Sequence, residues 1–506
     1  MNENGLIVGI NEKPKTIGSW IVLSLQHVFA MFGATVLVPL LTGLDVGVAL
    51  VASGIGTLIY IACTRAKVPV YLGSSFAYIT TISAAIASTG GAGSAYVGLM
   101  VVGLIYAIVA TVIRFVGSGW IKKLLPPIVI GPMIIIIGLS LAPVAINSAG
   151  LSGSNPTYYT PVLQKSFDYV TVDSTGTEGV IFFIDNGDIS FDELSGTFTN
   201  TFKTGDRILA YESDPKLPEN TNLSISKFAY EYDGNSWTQV ASDSWKLPIV
   251  AIITFLSVVL LSIVARGFLK IVPFLVAIFI GYLAAVLMGV VDLSTVFAGY
   301  SFFQLPNFSF IGTYSLNFSQ VLVFAPLAFV TIAEHIGDHV VLGEITGKDF
   351  LENPGLKNTL MGDGIATFVS AALGGPANTT YGENTGVIAI TKVGSVYVVG
   401  LAAIFAILLG FFGYIQAFIN SIPWAVIGGM TIVLYGLIAA NGVKVLVKNK
   451  TNLGDMKNLV VVSTMLVIGL GGAILNITSS SALSGMSLAA IVGILLNQGI
   501  ILLDRK

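Results

Sequence analysis

The chain has 506 residues, of which 54% are hydrophobic and only 10% are charged. Soluble globular domains carry about 25% charged residues, so this composition excludes an ordinary soluble enzyme and favours a membrane protein. The formal charge of -3 gives no basic excess that could hold a polyanion, which excludes nucleic acid as a partner. The single cysteine, Cys63, excludes a disulfide framework and a cysteine-clustered metal site.

Apolar stretches long enough to cross a bilayer recur about fourteen times along the chain. Three of them, Val68 to Ser88, Leu360 to Leu373 and Thr379 to Val393, are short, polar or interrupted by glycine. No short apolar core with a cleavage site opens the chain, so we expect no removable signal peptide. Lys and Arg fall in alternate loops, which predicts both termini in the cytoplasm. The predicted fold is an all-α polytopic membrane protein with 14 transmembrane segments in the cytoplasmic membrane.

Residues 150–245 interrupt this pattern, because they carry a charge of -9 while the remaining 410 residues carry +6. Runs rich in aromatic and β-branched residues alternate with turn signals such as Asp-Asn-Gly, which predicts a small β-rich insert. The count of spans places it outside the cell. We therefore expect segments 1–5 in residues 1–149, the extracellular insert in 150–245 and segments 6–14 in 246–506.

Two pairs of polar positions are related by one offset along the chain. Gln26-His27 and Glu334-His335 are 308 positions apart, and so are Ser75-Phe76 and Glu383-Asn384. Transporters are often built from two inverted repeats with broken helices at the substrate site. Because each half would hold seven segments, an odd number, the second repeat would be inverted relative to the first.

Three carboxylates lie within the predicted spans. Glu334 and Asp338 are one helical turn apart on one face, and Glu383 lies in a broken segment. An ionisable group in the bilayer indicates a functional site, because an apolar setting lets a carboxylate hold a proton near neutral pH. These residues therefore suit a proton-coupled carrier of a ligand with N–H groups.

The two broken segments supply further candidates for binding. Unwound backbone at Gly73 to Phe76, which includes Ser75, and at Tyr381 to Glu383, which includes Gly382, exposes N–H groups for a carbonyl oxygen. Phe76 and Tyr381 could stack on a flat ring or pack in the core.

The three histidines, His27, His335 and His339, do not form a metal-binding pattern. The pair His335 and His339 lacks the glutamate placement of a zinc protease, so we expect no metal and no cofactor. A packed, hydrogen-bonded role is expected for all three. No nucleophile-base pair is apparent, so we do not expect an enzyme.

Four sequence motifs carry a family resemblance. They are Gln-His-Val-Phe-Ala-Met-Phe-Gly-Ala-Thr at 26–35, Tyr-Leu-Gly-Ser-Ser-Phe-Ala at 71–77, Ile-Ala-Glu-His-Ile-Gly-Asp at 332–338 and Asn-Thr-Thr-Tyr-Gly-Glu-Asn-Thr-Gly-Val at 378–387. Together they resemble the nucleobase-ascorbate transporter family, and most closely its bacterial uracil permeases. The resemblance covers nearly all of the chain except the insert.

The resemblance implies two inverted repeats of seven segments, with short β-strands in segments 3 and 10. Segments 1–4 and 8–11 would form a core domain that moves as an elevator against a gate domain of segments 5–7 and 12–14, often in a homodimer. It further implies a proton symporter that imports uracil. The implied substrate contacts are Glu334, Glu383, Ser75, the backbone of Phe76 and Gly382, and the rings of Phe76 and Tyr381. The implied proton-coupling groups are Glu334, Asp338, Glu383 and His27.

Some alternatives stay open. Asp338 stands where a well-known uracil permease has histidine, which argues against uracil as the substrate. The carboxylate at Glu383 argues for uracil, because xanthine and urate carriers more often have glutamine at that position. The same machine could carry xanthine, another purine or another pyrimidine. A membrane receptor that binds its ligand through the insert is a rival of another class, and a passive channel is disfavoured because the polar residues cluster at one depth.

Overall fold

Apolar helices make up most of the computed structural model, which describes residues 5–87, 91–151, 245–291, 293–310, 314, 318–478, 481–483 and 485–504 and seven short strands between 170 and 240. Seven described helices are long and apolar enough to cross a membrane, and four shorter apolar helices have 10–17 residues. Large apolar side chains such as Leu104 and Ile108 are about half exposed on the outer helix faces. Such a surface suits lipid better than water. The expected mostly helical, membrane-type fold is therefore present, and the number of 14 segments stays a prediction.

The part of the chain before the insert begins with well-defined helix ends. The Thr16 hydroxyl accepts a hydrogen bond from the Ser19 N–H and caps the first helix, which is followed by Gly43 in a left-handed conformation (φ 73°). The Asp45 side chain then caps the second helix by accepting from the Val48 N–H. The described elements are α1 (Ile17–Thr42), α2 (Val46–Cys63), β1 (Leu72–Ser74), α3 (Ile79–Ala87), α4 (Gly91–Val116), α5 (Gly119–Leu124), α6 (Pro127–Ser140) and α7 (Ala142–Ser148), with one 3-10 turn at Phe76–Tyr78.

Seven strands are described inside the insert: β2 (Val170–Thr171), β3 (Val180–Phe183), β4 (Ser190–Asp192), β5 (Thr197–Thr199), β6 (Arg207–Tyr211), β7 (Phe228–Tyr232) and β8 (Trp237–Val240). They pair antiparallel, in a five-stranded sheet of order β2-β3-β6-β7-β8 and a separate β4-β5 pair. The rest of 152–244 lies outside the described residues. The prediction of a small, independent β domain therefore stays a prediction.

The second half of the membrane part contains the longest described helix, α11. Its elements are α8 (Lys246–Val264), α9 (Pro273–Leu287), α10 (Leu293–Val296), α11 (Phe318–Thr346), α12 (Leu356–Ala372), β9 (Asn378–Thr380), α13 (Gly382–Thr391), α14 (Val396–Gly410), α15 (Gly413–Asn420), α16 (Trp424–Lys448), α17 (Met456–Leu470), β10 (Leu475–Thr478), β11 (Ser481–Leu483) and α18 (Gly485–Leu503). The span expected at Leu360 to Leu373 begins four residues earlier, at Leu356, and packs against α2 and α4.

The helices pack in two groups that meet along α11. In the first group α12 packs against α4 and α2, and α14 packs against α2 and α1. In the second group α16 packs against α6 and α8, and α17 packs against α18 and α6. Helix α11 contacts α4 and α13 on one side and α6 and α18 on the other. The polar residues of α11 therefore lie close to the boundary between the two groups.

Candidate functional site

The two broken segments of the sequence pair with each other in the middle of the helical bundle. Strand β1 runs antiparallel to β9, with Leu72 opposite Thr380 and Ser74 opposite Asn378. The Ser75 N–H extends the pairing by donating to the Ala377 carbonyl at 2.8 Å. Since both strands are fully buried, this ladder satisfies backbone groups that would otherwise be unpaired inside a membrane.

A helix starts directly after each strand, and neither start has a side-chain cap in the described part of the chain. The 3-10 turn begins at Phe76 after Ser75, and α13 begins at Gly382 after Tyr381. The first N–H groups of a helix have no partner within the helix and carry partial positive charge. The two starts therefore offer hydrogen-bond donors to an acceptor on a ligand. Gly382 is exposed and has open space beside it, which gives such a ligand room.

Helix α11 places two carboxylates beside these helix starts, because it contacts the 3-10 turn, β9 and α13. Glu334 is half-buried, and its Oε2 is buried without a hydrogen-bond partner among the described residues. Asp338 accepts a 2.5 Å hydrogen bond from the Thr380 hydroxyl. Glu383 is half-buried in the first turn of α13. The structure thus brings the three predicted carboxylates together, and it leaves Glu334 free to accept a hydrogen bond from a ligand.

The two predicted aromatic residues have different surroundings. The Phe76 ring packs edge-on against Tyr435, with centroids 6.3 Å apart. The Tyr381 ring lies against Gly73, where an added Cβ would come within 2.3 Å of it, and its hydroxyl donates to the Ser74 carbonyl at 3.0 Å. Tyr381 therefore stabilises the strand pair, and its stacking on a substrate stays a prediction.

The predicted residue His27 lies on α1, buried next to the start of α13. The Asn384 side-chain amide donates at 3.1 Å both to His27 Nδ1 and to the His27 carbonyl oxygen. Because Nδ1 accepts this bond, the neutral ring carries its proton on Nε2. His27 thus contacts the neighbour of Glu383. Its part in proton coupling stays a prediction.

Several residues near the site were not predicted to take part. Asp363 is one of them, and its Oδ2 lies 2.8 Å from His335 Nδ1 inside the bundle. Thr380 and Asn384 were visible only as members of a motif, and Tyr60 was not noticed at all. The available signal was a polar side chain inside an apolar helix, but such a signal does not reveal a partner from a distant helix.

Comparison with known proteins identifies the family. The model of a permease family that includes xanthine and uracil permeases matches residues 18–172 and 223–478. The uracil permease of Bacillus caldolyticus is 40% identical over 497 residues, which cover 98% of this chain and 94% of that protein. The uracil permease of Bacillus subtilis strain 168 is 38% identical and covers 98% and 96%. The uracil permease of Escherichia coli K12 is 34% identical and covers 96% and 92%.

Solved structures of other transporters share the fold. The transmembrane domain of the cyanobacterial bicarbonate transporter BicA matches with a TM-score of 0.53 at 14% identity, covering 96% of this chain and 98% of that one. SLC26A9 matches with a TM-score of 0.58 at 12% identity, covering 97% of this chain and 66% of that one. The relatives are named permeases, which are not enzymes, and together with the seven long apolar helices they indicate a multi-pass membrane protein. The chain therefore belongs to the nucleobase-ascorbate transporter family, as its four motifs predicted.

Proposed function

We propose that this protein imports uracil together with protons across the cytoplasmic membrane. The supporting observation is the meeting of two uncapped helix starts with an unpaired carboxylate, Glu334, at one place in the bundle. Relatives that carry the name uracil permease support the choice of substrate. Uracil has a flat ring with alternating N–H and C=O groups, so it needs both hydrogen-bond acceptors and donors.

The chemistry of the site fits such a ring. Glu334 and Glu383 would accept hydrogen bonds from ring N–H groups, and the backbone N–H groups at Phe76 and Gly382 would donate to ring carbonyls. The Ser75 hydroxyl, which has no partner among the described residues, would add one more polar contact. The rings of Phe76 and Tyr381 would cover the flat face of the uracil ring.

Proton coupling follows from the close approach of the carboxylates. The negative charges of Asp338, Asp363 and Glu383 all act on Glu334. Like charges held close together in a poorly solvated site cannot all be ionised, so at least one group holds a proton. Substrate and proton would then bind together, because a proton held by one carboxyl group removes its repulsion of a neighbouring ionised carboxylate, which accepts the N–H of uracil. Asp338, tied to Thr380, and His27, tied to Asn384, would adjust this balance from two sides.

The architecture we infer is 14 segments in two inverted repeats, with both termini in the cytoplasm. The antiparallel pairing of β1 with β9, each followed by a helix start, is the relation that such repeats produce at their shared centre. The group containing α2, α4, α12 and α14, together with α11, would form the mobile core, and the group containing α6, α8, α16 and α17 would form the gate. Transport would then be an elevator movement of the core along the gate, in a subunit of a homodimer.

The test is uptake of labelled uracil into proteoliposomes with and without an inward proton gradient. The decisive variant is Glu334→Gln, which keeps the size of the side chain but replaces one acceptor oxygen by an NH2 donor and cannot ionise. We expect gradient-driven uptake to fall below about a tenth of wild type, since one charge-assisted hydrogen bond contributes about 1.5–3 kcal/mol. Thermal unfolding of the purified variant checks that the fold is intact.

Competition with unlabelled xanthine, thymine and ascorbate identifies the substrate class. Block by uracil-like rings alone supports the proposal. Block by xanthine alone would keep the carrier and replace uracil by a purine. Normal proton-dependent uptake in Glu334→Gln would remove the mechanism proposed for this site.

A further inference from the structure

A buried hydrogen bond joins the 3-10 turn that follows β1 to helix α11. The Tyr78 hydroxyl lies 2.8 Å from Thr331 Oγ1, and both residues are only 1% exposed. The Tyr78 ring also stacks on the ring of Phe324 in α11, with centroids 6.3 Å apart and an angle of 11° between the planes. Tyr78 therefore holds the turn to α11 by two contacts.

The other partners of Thr331 define the direction of this bond. Thr331 Oγ1 lies 3.2 Å from the Leu327 carbonyl oxygen and 3.3 Å from the Ala328 carbonyl oxygen, both one turn earlier in α11. Because a carbonyl oxygen only accepts, the single hydroxyl proton of Thr331 points toward its own helix. A lone pair of Thr331 Oγ1 then accepts the proton of the Tyr78 hydroxyl. The turn is thus the donor and the helix is the acceptor.

Each end of this bond lies within one turn of a proposed substrate contact. Tyr78 ends the 3-10 turn that begins at Phe76, whose backbone N–H would donate to a ring carbonyl. Thr331 is three positions before Glu334, so the two side chains are neighbours on the surface of α11. The bond therefore fixes the position of the Phe76 N–H relative to the Glu334 carboxylate.

A second hydrogen bond holds α11 to the other broken segment. The Thr380 hydroxyl of β9 donates to Asp338, which is four positions after Glu334. Glu334 thus lies between one bond to the segment after β1 and one bond to β9. A flat, rigid ring with adjacent N–H and C=O groups binds best to acceptors and donors whose spacing is fixed beforehand, because less conformational entropy is then lost on binding.

We propose that Tyr78 and Thr331 are positioning residues for recognition of the substrate ring. Their bond holds the Phe76 N–H at the distance from Glu334 at which one uracil ring spans both groups. This inference rests on the proposed function. It adds to it two residues that flank the motifs at 71–77 and 332–338 and belong to neither of them.

The substitution Tyr78→Phe tests this role, because it removes the hydroxyl and keeps the ring that stacks on Phe324. Tyr106 of α4 faces the same two hydroxyls, but a bond from Tyr106 to Thr331 would not hold the turn. The turn of the variant therefore gains freedom that uracil must remove when it binds, so the affinity falls. Bound uracil bridges the two groups and restores their spacing, so the maximal rate of transport is kept.

The experiment measures the Kd for uracil by isothermal titration calorimetry on the purified full-length chain, together with the maximal uptake rate in proteoliposomes. We expect Tyr78→Phe to raise the Kd about three- to tenfold, as loss of one hydrogen bond between neutral groups would, and to keep the maximal rate within about twofold. Thr331→Val should raise the Kd similarly, whereas Thr331→Ser keeps the hydroxyl and should bind like wild type. Combining Tyr78→Phe with Thr331→Val should weaken binding no more than the weaker-binding single variant, because both changes remove the same bond.

Tyr71→Phe is the matched control for a loss of stability. The Tyr71 hydroxyl is also fully buried and lies 2.8 Å from the Ser53 hydroxyl, which belongs to α2 and not to α11. Thermal unfolding should show a similar loss of stability in Tyr71→Phe and Tyr78→Phe. The Kd of Tyr71→Phe should equal that of wild type, because this bond does not connect the turn to α11.

The inference is overturned by an unchanged Kd in folded Tyr78→Phe, by an equal loss of affinity in Tyr71→Phe, or by additive losses in the double variant. Should Tyr78→Phe fail to fold, equal affinities of Thr331→Ser and Thr331→Val contradict it. Wild-type protein that binds xanthine but not uracil would remove the proposed substrate alone, and the same variants measured with xanthine then decide the positioning role. Wild-type protein that binds neither ring would remove both.

Discussion

The Thr380 hydroxyl donates a 2.5 Å hydrogen bond to Asp338 Oδ2 and thereby joins strand β9 to helix α11 at the candidate site. Asp338 lies one turn after Glu334 on the same helix, so this bond also holds Glu334 in register with the strand pair. The neighbouring residue Thr379 is equally buried, but its hydroxyl has no partner among the described residues. Thr379 and Thr380 therefore differ in whether the side-chain hydroxyl has a hydrogen-bond partner among the described residues.

Replacing Thr380 by Val should impair transport, because it removes the donor to Asp338 and keeps the shape of the side chain. A hydrogen bond to a charged group contributes about 1.5–3 kcal/mol, which corresponds to a loss of about tenfold or more in uptake. Thr379→Val is the matched control and should retain most of the activity. Uptake rates in proteoliposomes measure both, and equal rates for the two variants would show that the bond to Asp338 does not matter.

A second prediction compares two glycines of the site. An added methyl group on Gly73 would lie 2.3 Å from the Tyr381 ring, whereas one on Gly382 meets nothing within 4 Å. We expect Gly73→Ala to lower the free energy of unfolding by about 1–3 kcal/mol, because the strand pair is overpacked. Gly382→Ala should unfold like wild type and raise the KM for uracil, since the methyl group enters the proposed substrate space.

Thermal unfolding and uptake kinetics on the same preparations distinguish the two effects. A normal KM in Gly382→Ala would place the substrate elsewhere. An unaltered unfolding temperature in Gly73→Ala would show that the contact between Tyr381 and β1 is not tight.

Local sequence signals predicted much of this site, and distant contacts account for what they missed. Glu334 and Asp338 were evident because helical spacing puts positions i and i+4 on one face. The broken segments were evident because Gly, Ser and Thr interrupt apolar runs. By contrast, the bond from Thr380 to Asp338 joins a strand to a helix, the bond from Tyr60 to His339 joins two helices, and no periodicity encodes such pairs. Tyr381 shows the same limit, since only the packing of β1 against β9 reveals that its ring lies on Gly73.

The third prediction concerns residues 150–245. The ends of this segment are close together, because a side-chain carbon on Gly150 would lie 3.4 Å from Pro248 Cδ. A short Gly-Ser linker can therefore replace the segment without pulling α7 and α8 apart. We expect the shortened protein to retain at least about half of the uracil uptake, since surface loops tolerate such changes. Loss of uracil binding by a folded deletion variant would favour the rival interpretation, in which the insert is the sensory part of a receptor.

The fourth prediction tests the proposed movement of the core against the gate. The Glu344 carboxylate of α11 pairs with the Lys448 ammonium of α16, so this ion pair joins the core to the gate. The Lys457 ammonium of α17 pairs with Asp504, the residue that follows α18, so this second ion pair lies within the gate. Exposed ion pairs contribute only about 0–1 kcal/mol, so neutralising either pair should change uptake little. Covalent links are the sharper test.

Cross-linking can fix each pair in turn. In a chain whose only native cysteine, Cys63, is replaced by Ala, cysteines are introduced at 344 and 448, or at 457 and 504, and joined by a short reducible bifunctional thiol reagent. The first link should stop uptake until it is reduced, because it ties the core to the gate. The second link should leave uptake unchanged, because it lies within one rigid group. Free-thiol titration measures the extent of reaction. Transport that continues after complete linking of 344 to 448 would contradict an elevator movement between α11 and α16, whatever the substrate proves to be.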